Sequence, residues 1–463
     1  MASPRTRFVC TACGGESLRW EGRCPTCGEW NTLRQAPASA RSGVRASGSR
    51  SGLGSGGRTP VPLREAETGP ETRLALEVGE LDRVLGGGAV PGSLVLLGGA
   101  PGIGKSTLLL QAAASLRSRG VPVLYVSGEE SAGQVRMRAE RLGGSASEVP
   151  FVAETDVDAI VEAAREVEPA FLCVDSIQTL RSARSEAAPG GIAQVREGAA
   201  VLQTFSKESG TSTFLIGHVT KQGGLAGPRT LEHLVDAVLL FEGQKTLEHR
   251  LLRTTKNRFG GTDEMAVFRM TGSGLEGVSD PSGLFLADRP EGVSGSAVAV
   301  PVQGSRPLLA EVQALTAPGR YGTPQRVVTG IPPRRLSLLL AVLGRRGGPA
   351  LGDADVFVNV VGGLRLADPA TDLAVLAALV SAATDRATPG RLAFVGEVGL
   401  AGEIRGVARL EARVREAARA GMQGVVVPSV AAGAIEGGVR IHPVADVRGL
   451  VRLLARDVRG DGR

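Results

Sequence analysis

The chain has 463 residues, a formal net charge of +6 and only 3% aromatic residues. That length suffices for two or three domains, the shortage of aromatics excludes a nucleic-acid surface built mainly on base stacking, and the positive balance fits a polyanionic partner. No apolar run approaches the roughly 20 residues that span a membrane, and charges stand where a signal peptide would be apolar, so a cytoplasmic protein without a membrane partner is expected.

Residues 1–35 are expected to form a zinc module. Cys10 with Cys13 and Cys24 with Cys27 make two C-x2-C pairs, each followed by a glycine, Gly14 or Gly28. Four thiolates close a tetrahedral Zn2+ site, and so short a segment takes its folding free energy from the metal. Trp20 and Trp30 are expected to pack against these knuckles, the alternative being exposure to DNA bases. The fifth cysteine, Cys173, lies in an apolar run and reads as core, a distribution that points to a reducing compartment rather than a disulfide framework. Residues 36–60 turn to Ser, Gly, Arg and Pro and read as a flexible linker, with Arg41, Arg45, Arg50 and Arg58 available to touch nucleic acid without sequence preference.

From 61 to 289, apolar strands alternate with amphipathic helices, the pattern of a mostly parallel α/β sheet. A strand at 93–98 runs into Gly99, Ala100, Pro101, Gly102, Ile103, Gly104, Lys105, Ser106 and Thr107, and a helix follows from 108. This satisfies G-x-x-x-x-G-K-[ST] in the strand–loop–helix context that the motif requires, so the chain binds a nucleoside triphosphate, expected to be ATP. The glycines turn the backbone N–H groups onto one phosphate chain, Lys105 neutralises the β- and γ-phosphates, and the Ser106 hydroxyl ligates Mg2+. Thr107 supports the α-phosphate or packs. A strand at 121–127 ends in Glu129 and Glu130; a carboxylate there polarises the attacking water, with Glu129 the candidate base and Glu130 the reserve. The apolar run 170–174 is capped by Asp175, a Walker B pattern that reaches Mg2+ through water. Further strands are expected at 212–217, 237–241 and 249–254, and a mobile glycine-rich loop at 222–228 beside Lys221. Residues 290–463 read as a separate α+β domain, with strands at 297–302 and 355–361 and a long apolar helix at 371–383.

Together these residues resemble the bacterial RadA (Sms) DNA repair and recombination proteins over nearly the whole chain. The most specific element is Lys256-Asn257-Arg258-Phe259-Gly260, which matches the family's K-N-R-F-G motif; 216–221 and 399–405 also look like family segments. The resemblance implies a RecA-like P-loop ATPase core, a four-cysteine zinc module and a C-terminal α+β domain similar to the Lon protease domain, of the ribosomal S5 domain 2-like fold. It further implies a hexameric, DNA-dependent ATPase that translocates on single-stranded DNA and drives branch migration of recombination intermediates alongside the RecA recombinase, with single-stranded and branched DNA as partners. Lys256 and Arg258, two apart at a strand end or turn, can project to one side and meet a neighbouring subunit's γ-phosphate, or else contact DNA directly. His218 is placed to sense the γ-phosphate or the DNA state.

Lon-type proteolysis needs a serine activated by a lysine. Here Ala370 stands at the serine position, an ungapped match puts Glu411 at the lysine position, and 290–463 contains no lysine. The domain is therefore expected to be proteolytically inactive and to serve oligomerisation and DNA binding, with Arg334, Arg335, Arg345 and Arg346 as contacts. Competing readings are a nucleotide-switched DNA-binding scaffold without motor activity, an ATP-dependent protease, and a regulatory RecA-fold kinase of the circadian-clock type, against which the zinc module and the Lon-like tail both count.

Overall fold

Strands whose two faces are both covered read as unbroken apolar runs, and such runs build the centre of this protein. The computed structural model describes residues 7–10, 16–17, 20, 22–25, 29–30, 32–36, 73–218, 231–243, 249–262, 264–319, 323–389, 391–434 and 438–455. Cys13, Cys27, Lys221, the loop expected at 222–228 and all but the first residue of the linker expected at 36–60 lie outside these residues. Two compact units are present, Met1–Ser51 and Gly52–Arg463. Among the described residues no helix is long and apolar enough to cross a membrane.

The smaller unit contains a three-stranded antiparallel sheet, β1 (Arg7–Cys10), β2 (Glu16–Ser17) and β3 (Leu33–Ala36), in the order β2-β1-β3. Cys24 is buried, and its N–H donates to the Glu29 carbonyl at 2.8 Å. Trp20 and Trp30 are 58% and 68% exposed, which corrects the expectation that they pack against the knuckles. So small a unit has little interior to offer an indole; instead the Arg23 guanidinium lies 5.9 Å from the Trp30 ring centroid.

In the larger unit α1 (Gly79–Leu85) precedes the alternating elements β4 (Leu94–Gly99), α2 (Lys105–Ser118), β5 (Val123–Ser127), α3 (Ala132–Leu142), β6 (Phe151–Ala153), α4 (Val157–Val167), β7 (Phe171–Asp175), α5 (Ile192–Ser209) and β8 (Ser212–His218). β9 (Ala237–Glu242), β10 (His249–Asn257), β11 (Met265–Thr271) and β12 (Gly274–Gly277) follow. One nine-stranded sheet results, ordered β12-β11-β10-β9-β4-β8-β7-β5-β6. The six strands from β9 to β6 are parallel, and β10 to β12 extend that sheet as an antiparallel meander.

After α6 (Pro281–Leu286) come β13 (Ser296–Ala299), the hairpin β14 (Val302–Gln303) and β15 (Arg306–Pro307), β16 (Ala310–Pro318), β17 (Arg326–Thr329), α7 (Pro333–Arg345), β18 (Ala354–Val360) and α8 (Asp372–Thr384). The chain closes with β19 (Leu392–Phe394), the short pair β20 (Glu397–Val398) and β21 (Ile404–Arg405), α9 (Leu410–Arg419), β22 (Gly424–Pro428), β23 (Arg440–Val444) and α10 (Val447–Ala455). Seven of these strands form a mixed sheet ordered β17-β18-β16-β13-β19-β22-β23. The fold is therefore an α/β P-loop core joined to a C-terminal α+β domain. The two share a core: Leu251, Met265 and Val267 of the meander pack in one apolar cluster with Phe285, Val312, Val358 and the buried length of α8. The hairpin fastens the same junction, with Arg253 Nη1 donating to Gln303 Oε1 at 2.7 Å, the Ser305 N–H donating to Glu264 Oε1 at 2.7 Å, and Arg306 Nη1 3.3 Å from Glu80 Oε1.

Candidate nucleotide site

The phosphate-loop residues, both glutamates, Asp175 and His218 come from the carboxyl ends of four adjacent parallel strands, β4, β8, β7 and β5. That edge is where open α/β sheets bind ligands. Gly102 and Gly104 adopt φ of +75° and +114°, which side chains resist, and a Cβ on Gly104 would meet Met270 Cε at 2.9 Å. The first N–H groups of a helix lack intrahelical partners, and no side chain caps α2. Uncapped N–H groups beside a buried cation fit a phosphate chain.

Lys105 is only 4% exposed. Its ammonium donates to the carbonyls of Gly99 at 2.9 Å and Ala100 at 3.1 Å and lies 3.2 Å from His218 Nδ1. Burial pushes its pKa down to about 8, against the attraction of Asp175 and Glu129. An ammonium only donates, so Nδ1 accepts and the proton of the neutral imidazole sits on Nε2. Nε2 lies 2.9 Å from Glu129 Oε1 and donates to it. The Ser176 hydroxyl, one residue past Asp175, donates to the same oxygen. His218 thus joins the loop lysine to a carboxylate brought from another strand.

The two glutamates are treated differently by the fold. Glu130 accepts a two-pronged bond from Arg138, at 2.7 and 2.6 Å, on the first helix after β5. Glu129 has no guanidinium partner among these contacts and faces the loop lysine through His218. Asp175 is 2% exposed; burial pushes its carboxyl up, while hydrogen bonds from Ser106 and Tyr125 favour the charged form. A serine hydroxyl and a carboxylate are hard oxygen donors, the set that suits Mg2+.

Lys256 and Arg258 stand elsewhere. Asn257 pairs with Ala237, and Ala237 pairs with Val95 near the start of β4, whereas the phosphate loop leaves the other end at Gly99. Four residues of strand put about 13 Å between the two levels. Lys256 Nζ donates to the carbonyls of Glu232 and of Val235, the latter at 2.7 Å, and Arg258 Nη1 lies 3.1 Å from Asp236 Oδ1. Both cations engage one segment, and neither joins the loop of its own chain.

In the C-terminal domain Ala370 is buried. Glu411 is not beside it: the Glu411 side chain is 61% exposed and 4.0 Å from Arg415. The inward face of α9 carries Leu410, Arg413, Val414 and Ala417, so helix phase puts position 413 inside. Arg413 is 3% exposed, pairs with Asp368 Oδ2 at 2.6 Å and donates to the Val300 carbonyl at 2.6 Å, while Asp368 Oδ1 accepts the Ala370 N–H at 3.0 Å. Arginine stays protonated and cannot serve as a base. Among the arginines expected on DNA, Arg335 is instead committed to the buried Asp372, with Nε 2.8 Å from Oδ1, and Arg346 donates to the Leu400 carbonyl at 3.2 Å. Arg334 and Arg345 are exposed.

Sequence reasoning missed Tyr125, Arg138 and Ser176. Nothing in their spacing marks them: Tyr125 and Ser176 meet partners across neighbouring strands, and Arg138 meets Glu130 through the turn from β5 into α3. Helix phase alone would have chosen Arg413 over Glu411.

Three family models match the chain: a rubredoxin metal binding domain at residues 8–35, an AAA domain at 72–224, and a Lon protease (S16) C-terminal proteolytic domain at 349–438. The first covers all four cysteines and supports Zn2+ in the N-terminal module. The DNA repair protein RadA of Pseudomonas aeruginosa is 48% identical over 431 residues, 92% of this chain and 94% of the relative. That of Bacillus subtilis is 45% identical over 434 residues, 93% of each chain. Halalkalibacterium halodurans has one that is 47% identical over 430 residues, 92% of this chain and 93% of the relative. Among solved structures, a KaiC-like protein of Pyrococcus horikoshii matches at 21% identity and a TM-score of 0.39, covering 45% of this chain and 100% of that one. The RadB recombinase matches at 25% identity and a TM-score of 0.36, covering 44% and 100%.

Proposed function

This chain belongs to the RadA family of DNA repair proteins, and on that premise we propose a DNA-dependent ATPase of homologous recombination. In this reading it works as a hexameric ring that translocates on single-stranded DNA, promotes branch migration and acts alongside the RecA recombinase. The observation that carries the ring is the place of Lys256 and Arg258. They lie at the opposite end of the sheet from their own phosphate loop, which supports their serving the site of a neighbour.

Within one subunit, Gly99 to Thr107 cradle the triphosphate through backbone N–H groups, and Lys105 leaves the loop carbonyls for the β- and γ-phosphates. Ser106 and Asp175 would hold Mg2+, which neutralises phosphate charge when bound. Glu129 orients the attacking water and takes its proton, whereas Glu130 stays in its pair with Arg138. Cys10, Cys13, Cys24 and Cys27 would hold Zn2+ and so fold the N-terminal module. The C-terminal domain has no proteolytic dyad and acts as a scaffold.

Mixing two inactive variants tests the shared site. Lys105→Ala keeps Arg258, and Arg258→Ala keeps its loop, so mixed rings should regain DNA-stimulated ATPase that neither shows alone. Glu129→Gln should bind ATP but hydrolyse it roughly 10²–10⁴-fold more slowly. Absence of complementation would overturn the trans role. Turnover unchanged by single-stranded DNA would leave a nucleotide-switched scaffold.

A further inference from the structure

In the β5–β7 pairing Ser127 stands opposite Asp175, and Tyr125 stands opposite Cys173, one pleat deeper. Side chains two apart on a strand share a face, so the Tyr125 ring can climb that face toward the carboxyl end of the sheet. Its hydroxyl donates to Asp175 Oδ2 at 2.9 Å. The ring is fully buried, and a phenol O–H without water must find a protein partner. The Ser106 hydroxyl, in the first turn of α2, also favours the charged form of the Asp175 carboxyl.

The two hydroxyls are not equivalent. Ser106 belongs to the phosphate motif and is itself claimed by the cation in the reading above, so it is not a fixed partner for Asp175. Tyr125 sits on β5, between β7 and β6, with its buried ring stacked against Phe151, 6.4 Å away centroid to centroid.

We propose that Tyr125 is a positioning residue for the metal-shell carboxylate: its hydroxyl fixes the rotation of Asp175, holding Oδ2 against the sheet and leaving Oδ1 for the divalent cation. The inference rests on the reading of Asp175 given above. Partners that orient a ligating group typically change metal affinity by 10–100-fold when lost. Tyr125→Phe removes one oxygen and keeps the shape of the ring. In the full-length protein with ADP, Mn2+ binding followed by electron paramagnetic resonance should weaken roughly tenfold. The Mg2+ concentration for half-maximal ATPase should rise similarly, with kcat at saturating Mg2+ within about twofold of wild type and metal-free ADP affinity unchanged. In the Asp175→Asn background Tyr125→Phe should add nothing further.

A second measurement needs no variant at Tyr125. The chain has two tyrosines, Tyr125 and Tyr321, so 3-fluorotyrosine labelling gives two 19F signals, assigned with Tyr321→Phe. The Tyr125 signal should shift when Mg2+ is added to the ADP complex. Wild-type metal constants in Tyr125→Phe, with Asp175→Asn still impaired, would overturn the positioning role alone, as would an unmoved 19F signal. Normal metal binding and hydrolysis by Asp175→Asn would instead remove the premise.

Discussion

Lys105 carries its charge against two loop carbonyls and an imidazole. A fall from 10.5 to about 8 corresponds to no more than about 3.5 kcal/mol against the folded, nucleotide-free state, less after solvent screening. Lys105→Met should therefore lose nucleotide binding yet raise the melting midpoint of the empty protein by roughly 2–4 °C, read by scanning calorimetry. Because the folded lysine releases its proton at a lower pH than the unfolded one, wild-type stability should rise with pH between about 8 and 10.5. That slope should be missing from Lys105→Met. At this scale the sequence identified the loop, both glutamates and Asp175, since each ends an apolar run. It could not show that His218 bridges Lys105 to Glu129, because that contact exists only once β8 and β7 lie between β4 and β5, or that Glu130 is held by Arg138, because that pair depends on how α3 turns back from β5.

α9 turns a buried guanidinium, Arg413, inward to pair with Asp368. Removing one member of such a pair leaves an uncompensated charge, so Arg413→Ala should cost roughly 3–5 kcal/mol, measurable by denaturant unfolding. Ala370→Ser should gain no reactivity toward a fluorophosphonate probe, as no amine stands by to activate it. The apolar helix at 371–383 was legible because every face of it is buried, and it appears as Asp372–Thr384. The meander was only half legible. A strand at 249–254 could be read from its residues, but its antiparallel direction and its run to Asn257 depend on pairing with β9, which local periodicity does not report.

For the molecule as a whole, the junction at the C-terminal domain decides how it unfolds. Composition suggested a boundary near 290, yet Leu251, Met265 and Val267 before it share a core with residues after it, a long-range fact invisible to any local window. Residues 73–455 should accordingly melt in one calorimetric transition. A chain ending at 289 should aggregate, because truncation bares the outer face of β10 and β11; size-exclusion chromatography would show it.

The β14–β15 hairpin grips Arg253, Glu264 and Glu80, and Arg253 stands three residues from Lys256 on β10. In the ring proposed above, a pull on Lys256 from the next subunit's nucleotide would cross the irregularity in the β9–β10 register between Thr254 and Lys256 before it reached the hairpin. Because the shared core and the hairpin tie the tail to the meander, each stroke of such a ring would carry both together, as cargo bolted to a chassis.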